Sequence, residues 1–270
     1  MQAQDERAAA LALRARASGF GFADVGASKE LALGWLMRGT LHLVAVEDWW
    51  WLHALVARPA PGDDRARLVS AVLAETGPLR RPPLLERLAS SGLVLEGQDF
   101  PHLLADCCSR GEVVMTPARA FVLAADWVGP RPRVDREEAL RRLGARYAAA
   151  HVGATPEDLA AWSGLGIRDA RTALAGVGAV VPAGRAQLRQ RRLLPAFDPY
   201  LLGWKDRSFA VPAELKRRVF PGGGMLRAVT LQDGLVTGTW TAPGGVPRID
   251  APDPDAFAAE AADVTRFLRA

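Results

Sequence analysis

Cysteine is almost missing from this chain: Cys107 and Cys108 are the only two, and as sequence neighbours they cannot form an ordinary long-range disulfide staple. A reducing, cytoplasmic setting is therefore expected, with both thiols at buried helical positions. Histidine is also scarce. His42, His53, His102 and His151 are scattered without Cys-x-x-Cys or His-Glu-x-x-His spacing, so neither a metal nor a cofactor is expected. No run approaches the roughly 20 consecutive apolar residues that a membrane helix needs. The opening MQAQDERAAA is polar and acidic, unlike a signal peptide, so no membrane partner is expected. Lysine is confined to Lys29, Lys205 and Lys216, which leaves arginine to carry the net charge of +4. A GC-rich genome accounts for that bias as readily as phosphate recognition does. The charge permits an anionic partner without demanding one. Gly222-Gly223-Gly224 lacks the Gly-Lys-Ser/Thr and the strand–loop–helix setting of a phosphate loop, and reads as a plain loop.

What the chain does have is a recurring layout. Leu31 to Val44, Leu103 to Met115 and Ala170 to Val181 each carry apolar residues at helical spacing, then a glycine, then a strand-like run. Gly39, Gly111 and Gly178 suit the left-handed conformation that stops a helix. Helix, glycine stop and strand make the second half of a winged helix, a recognition helix leading into its wing. Wing turns follow at Pro117-Ala118-Arg119 and Pro182-Ala183-Gly184-Arg185, each with an arginine near the tip. Between the repeats, helices are expected from Arg65 to Glu75, from Pro83 to near Gly92, and from Asp135 to Ala150. Thr155-Pro156-Glu157-Asp158 is a further helix start, with an N-cap, a proline at the first position and acids in the first turn. Trp49-Trp50-Trp51 reads as packing rather than as a base-stacking platform.

From Leu193 prolines and glycines multiply. Asp233-Gly234 between Leu226–Leu231 and Leu235–Trp240 signals a hairpin, and Asp255 to Arg269 a terminal amphipathic helix. The fold class expected is α+β, with tandem winged-helix motifs followed by a β-rich C-terminal domain. Its division is residues 1–60, 61–130 and 131–192 for three winged helices and 193–270 for the β-rich part. Arg131, Arg133, Arg141, Arg142, Arg185, Arg189 and Lys216 would track phosphates if several shared one concave side.

Three motifs, taken in order, resemble a known family. They are Gln2-Ala3-Gln4, the run from Trp35 to Leu43 (WLMRGTLHL), and the run from Leu193 to Gly203 (LLPAFDPYLLG). They are similar to the bacterial winged-helix DNA-binding proteins that include the winged-helix DNA glycosylases, which act on alkylpurines or interstrand crosslinks through a Gln-x-Gln motif. Some of these protect antibiotic producers from their own DNA-alkylating products. The resemblance spans essentially the whole chain. It implies three tandem winged helices, a barrel-like C-terminal domain and a concave DNA-binding surface. It also implies a catalytic pair, Gln2 and Gln4. From the residues themselves, Arg119 and Arg185 at the wing tips and the nearby Arg189 are read as DNA contacts, and Arg38 and His42, after the first recognition-helix candidate, either as DNA contacts or as structural hydrogen-bonding residues. Asp198 and Tyr200 are read as fixing the junction between the last winged helix and the barrel-like part.

The activity so implied is monofunctional excision of N7-alkylated purines, or unhooking of crosslinks, by hydrolysis of the N-glycosidic bond. The partner is double-stranded DNA, met by a monomer at the nucleoid. The alternatives are a non-enzymatic winged-helix regulator and a protein-interaction module built on the same motifs, since fold does not fix function. One departure stands out. Family members carry a helical segment before the glutamine motif, whereas Gln2 directly follows Met1. Either translation begins upstream, or the glutamines sit on a frayed terminus that cannot position a water.

Overall fold

The structure is a computed structural model that describes residues 1–57, 63–177 and 190–270. Helix α1 (Glu6–Arg14) starts at Asp5, whose carboxylate accepts from the Ala8 N–H at 2.8 Å, and α2 (Phe22–Ala27) follows. Strands β1 (Leu31–Trp35) and β2 (Leu41–Ala45) then pair antiparallel, from Leu31 opposite Ala45 to Trp35 opposite Leu41. This corrects the helix expected over Leu31 to Arg38. Strand β1 is covered on both sides: Leu33 packs into one core and Ala32 into another, behind α3 (Trp49–Val56). A strand buried on both faces has no polar alternation, so its apolar run also fits a helix. Gly34 marks the strand. A Cβ there would lie 2.4 Å from Trp49 Cη2 and 2.8 Å from Cys108 Sγ.

Gly39 accordingly ends no helix. Arg38 and Gly39 have φ of 57° and 68°, and the Thr40 N–H donates to Met37 O, which makes a type I′ hairpin turn. The three tryptophans of α3 are all buried, as expected of packing residues. Trp50 and Trp51 donate their indole N–H groups to Gly129 O and Asp48 Oδ1.

The second repeat folds as read. Helices α4 (Asp64–Thr76), α5 (Arg81–Ser90) and α6 (Asp99–Arg110) lead to Gly111, left-handed at φ 77°. Strands β3 (Val113–Met115) and β4 (Phe121–Leu123) form the hairpin after it. Leu33 pairs with Met115, so all four strands join one sheet in the order β2-β1-β3-β4. Cys107 and Cys108 are buried, and desolvation pushes both thiols up to about 12.

After α7 (Ala124–Val128), helix α8 (Arg136–Ala150) is capped by Asp135 and α9 (Pro156–Ser163) by a Thr155–Asp158 capping box. Helix α10 (Ile167–Leu174) crosses α8 at Gly144, where a Cβ would lie 1.7 Å from the Ala173 carbonyl oxygen. Helix propensity alone would make Gly144→Ala stabilising by about 1 kcal/mol. The clash is with backbone and reverses the sign, at a cost of about 1–3 kcal/mol. Gly144→Ala is expected to lower Tm by on the order of 5 °C in a calorimetric scan. The expected Gly178 stop, the turn with Arg185, and Arg189 lie outside the described residues.

The C-terminal part comprises β5 (Arg191–Leu194), α11 (Pro199–Leu202), α12 (Lys216–Val219), β6 (Val229–Gln232), β7 (Leu235–Thr241), β8 (Arg248–Asp250) and α13 (Ala258–Arg269). Asp233 and Gly234, with φ of 53° and 85°, make the expected β6–β7 turn. The sheet runs β5-β6-β7-β8, and among the described residues no pairing of β8 with β5 closes it. Helix α13 returns to the beginning of the chain: its Phe267 and Val264 share a core with Leu11 of α1 and Val25 of α2. The buried Arg14 of α1 pairs with Glu260 and Asp263 beside that core.

Candidate nucleic-acid interface

The first residues form an added strand. The Ala3 N–H donates to Leu41 O and the Leu43 N–H to Met1 O, both at 2.8 Å, which lays Met1–Ala3 antiparallel on the outer edge of β2. Ala3 is buried in the core with Leu43 and Ala9. From the other side the β3–β4 hairpin reaches over. Arg119 donates through one Nη to Ala3 O at 2.8 Å and to Gln4 O at 3.0 Å, and pairs with Glu6 at 3.7 Å. The glutamine motif is thus pinned from two directions, which corrects the expectation of a frayed terminus. Arg119, expected as a wing-tip contact to DNA, spends its guanidinium on this tether.

Gln2 and His42 face each other across the added strand. The hydrogen bonds flank them rather than join them, so they form the close, non-hydrogen-bonded type of antiparallel pair with side chains on one face. Gln2 Oε1 is buried and accepts no hydrogen bond from the protein. Gln4 is exposed, at the bend before the Asp5 cap. His42 is only 3% exposed and its Nδ1 lies 2.8 Å from Thr40 O. Burial, together with the nearby charge of Arg38, pulls its pKa well down. At neutral pH the ring is uncharged.

The type I′ turn that fixes Thr40 also projects Arg38 into a cleft of about 810 Å³ between the first hairpin and the C-terminal part. Lys205, Arg207 and Lys216 line the same cleft, with Asp206 as its one acidic residue. Gly164, left-handed at the end of α9, lets the Arg38 stem approach: a Cβ there would sit 2.9 Å from Arg38 Cγ. Arg38 has no ion-pair partner among the described residues. Burial lowers its pKa, and Arg207 is lowered by burial and then by the charge of Arg38. Asp206 and the Leu201 carbonyl offset only part of the charge on Arg207, and Arg38 has no carboxylate beside it among the described residues, so the cleft is suited to an anion.

One wall of the cleft is anchored by the third motif. Asp198 is 1% exposed, takes a two-pronged ion pair from Arg16 at 2.6 and 2.9 Å, and caps α11 through the Tyr200 N–H. The Tyr200 hydroxyl donates to Gly234 O at 2.8 Å. Asp198 and Tyr200 thus tie the motif to the segment after α1 and to the β6–β7 turn. The last winged-helix region is instead joined to it by Tyr147, which donates to Gly203 O, and by His151, beside Pro199 O, which corrects the expected junction role. Leu202, three positions beyond Pro199, then lines the cleft. Arg16, Lys205 and Arg207 were not singled out from the sequence. The one signal available was the position of Lys205 and Arg207 directly after the LLPAFDPYLLG motif. Arg185 and Arg189 fall outside the described residues. Among the described residues no group of three His, Cys, Asp or Glu is placed to hold a metal ion.

The family model described as "DNA glycosylase AlkZ-like" matches residues 1–267. Among solved structures, the chain is similar to the Streptomyces sahachiroi DNA glycosylase AlkZ, with a TM-score of 0.77 and 24% sequence identity, covering 100% of this chain and 88% of that one. No curated protein matches.

Proposed function

This chain belongs to the AlkZ-like DNA glycosylase family, and from that premise we propose that it is a monofunctional DNA glycosylase, hydrolysing the N-glycosidic bond of N7-alkylated purines or of crosslinked purines in duplex DNA. The observation that carries the reading is the buried, unpartnered Oε1 of Gln2, held on a pinned segment opposite the hairpin whose turn sends Arg38 into a mainly cationic cleft. A buried carbonyl without a donor is costly, and a bound water would supply the missing donor here.

The chemistry suits amides. A purine alkylated at N7 is cationic, so its bond to the sugar is already weakened and the base departs as a neutral molecule. What remains is to orient a water at C1′ and to place acceptor dipoles near the positive charge developing on the sugar. Gln2 supplies a fixed acceptor for the water, and Gln4 a second dipole at the rim. Arg38, Lys205, Arg207 and Lys216 take backbone phosphates, giving affinity without sequence preference. In this reading Arg119 holds the catalytic segment, and His42 has too little surface to meet DNA directly.

The cleft is built by one chain, so a monomer suffices. Two buried, unpaired thiols suit a reducing cytoplasm, where the nucleoid supplies the substrate. The test is release of free 7-alkylguanine from an alkylated duplex whose strand stays intact until the abasic site is cleaved by alkali. Tight binding to one palindromic site without any release would favour a regulator instead.

A further inference from the structure

We infer that His42 is the second acceptor of the attacking water, so that Gln2 Oε1 and His42 Nε2 each accept a hydrogen bond from one of its two O–H groups. The inference deepens the proposed glycosylase reading and rests on it. Three features of the structure support it. Gln2 and His42 are a close cross-strand pair whose side chains share one face. Gln2 Oε1 is buried with no donor from the protein. His42 Nδ1 is committed to the Thr40 carbonyl, which can only accept, so Nδ1 carries the hydrogen and Nε2 keeps its lone pair.

The electrostatics keep the ring in that state. Burial first, and the Arg38 guanidinium with it, oppose protonation of His42. A protonated ring would only donate and could not hold water in this way. The same type I′ turn fixes Thr40 under Nδ1 and carries Arg38 to the cleft, which couples the water site to the phosphate site.

A water that donates to both groups has both O–H bonds engaged with the protein and its lone pairs free to face C1′. The bond from C1′ to the purine nitrogen breaks, and its electron pair neutralises the cationic base as it leaves. The water oxygen bonds to C1′, and the surplus proton passes to solvent. A ring this weakly basic orients the water rather than deprotonating it, which is enough for a leaving group already charged.

Three substitutions separate this role from a merely structural one. His42→Asn keeps a donor for Thr40 O but offers no acceptor at the Nε2 position. His42→Gln extends an acceptor to that position, and His42→Phe keeps ring bulk alone. Single-turnover base release should fall on the order of 10²-fold for the Asn and Phe forms and stay within about 10-fold for Gln. Duplex affinity should hold within about 2-fold in all three, and melting curves identify any form that fails to fold. Rescue by Asn and not by Gln would overturn the inference, because it would mean that only the Thr40 bond matters. A high-resolution crystal structure of the unmodified protein gives a readout apart from activity. A water within hydrogen-bond distance of both Gln2 Oε1 and His42 Nε2 is expected, and its absence would overturn the inference. Failure of the wild-type protein to release any base would instead sink the glycosylase reading.

Discussion

Replacing Arg38, Lys205 and Arg207 together by alanine is expected to weaken duplex binding on the order of 10²-fold at moderate salt. Hydrogen bonds from cationic side chains to phosphate contribute more than neutral ones, and three are removed at once. Counterion release supplies a second, independent signature. Each lost phosphate contact should flatten the slope of log affinity against log salt by about 0.9, so the triple variant should lose between about 2 and 3. The effect should be uniform across sequences, because phosphates carry no sequence information. Arg67→Ala is the matched control. Arg67 is paired with Asp64 on the exposed face of α4, at 2.9 Å, and its loss should leave affinity nearly unchanged. A triple variant that binds as the wild type does, with an unaltered salt slope, would move the DNA path off this cleft.

Gln2→Ala should act on rate and not on affinity. Base release under single-turnover conditions is expected to fall on the order of 10²-fold or more, comparable to deleting one preorganised transition-state stabiliser. Duplex affinity should change little, because phosphate contacts dominate ground-state binding and the amide works on the transition state. Gln4→Ala should cost less, since Gln4 is exposed at the bend while Gln2 presents a buried acceptor. Undiminished release by the Gln2→Ala, Gln4→Ala double variant would remove both from the mechanism.

Much of the fold was legible in local chemistry. The stop at Gly111, the Asp135 and Thr155 caps and the Asp233-Gly234 turn all depend on residues within a few positions of one another, and all folded as read. The first repeat misled for a physical reason. With Leu33 facing one core and Ala32 another, β1 shows no polar face, and period 2 could not be told from period 3.6. Only the clash of a side chain at Gly34 with Trp49 and Cys108 separates the alternatives, and that clash exists only once the chain is folded.

The candidate site was legible as motifs and not as geometry. Gln2 and Gln4 were identified through a resemblance, but their docking depends on Leu41 and Leu43, some forty residues along the chain. Arg119 reads from sequence as a wing-tip arginine. Its actual partners, Ala3 O and Gln4 O, are more than a hundred residues away. The cleft cations Lys205 and Arg207 carry no local mark beyond their position directly after the LLPAFDPYLLG motif. What distinguishes Arg38 from Arg67 or Arg141 is the absence of a carboxylate beside it, which is a property of the folded surface alone.

The most direct test of the central claim is release of free base by the purified wild-type protein. Duplex DNA methylated at guanine N7 would be incubated with excess protein, and the released 7-methylguanine separated from DNA and quantified against spontaneous loss. Crosslinked duplex would be run alongside. The account predicts release well above the spontaneous rate on at least one of the two substrates, with abasic sites that break only on alkali treatment. Release no faster than in buffer on both substrates, from protein that binds duplex DNA tightly, would contradict it.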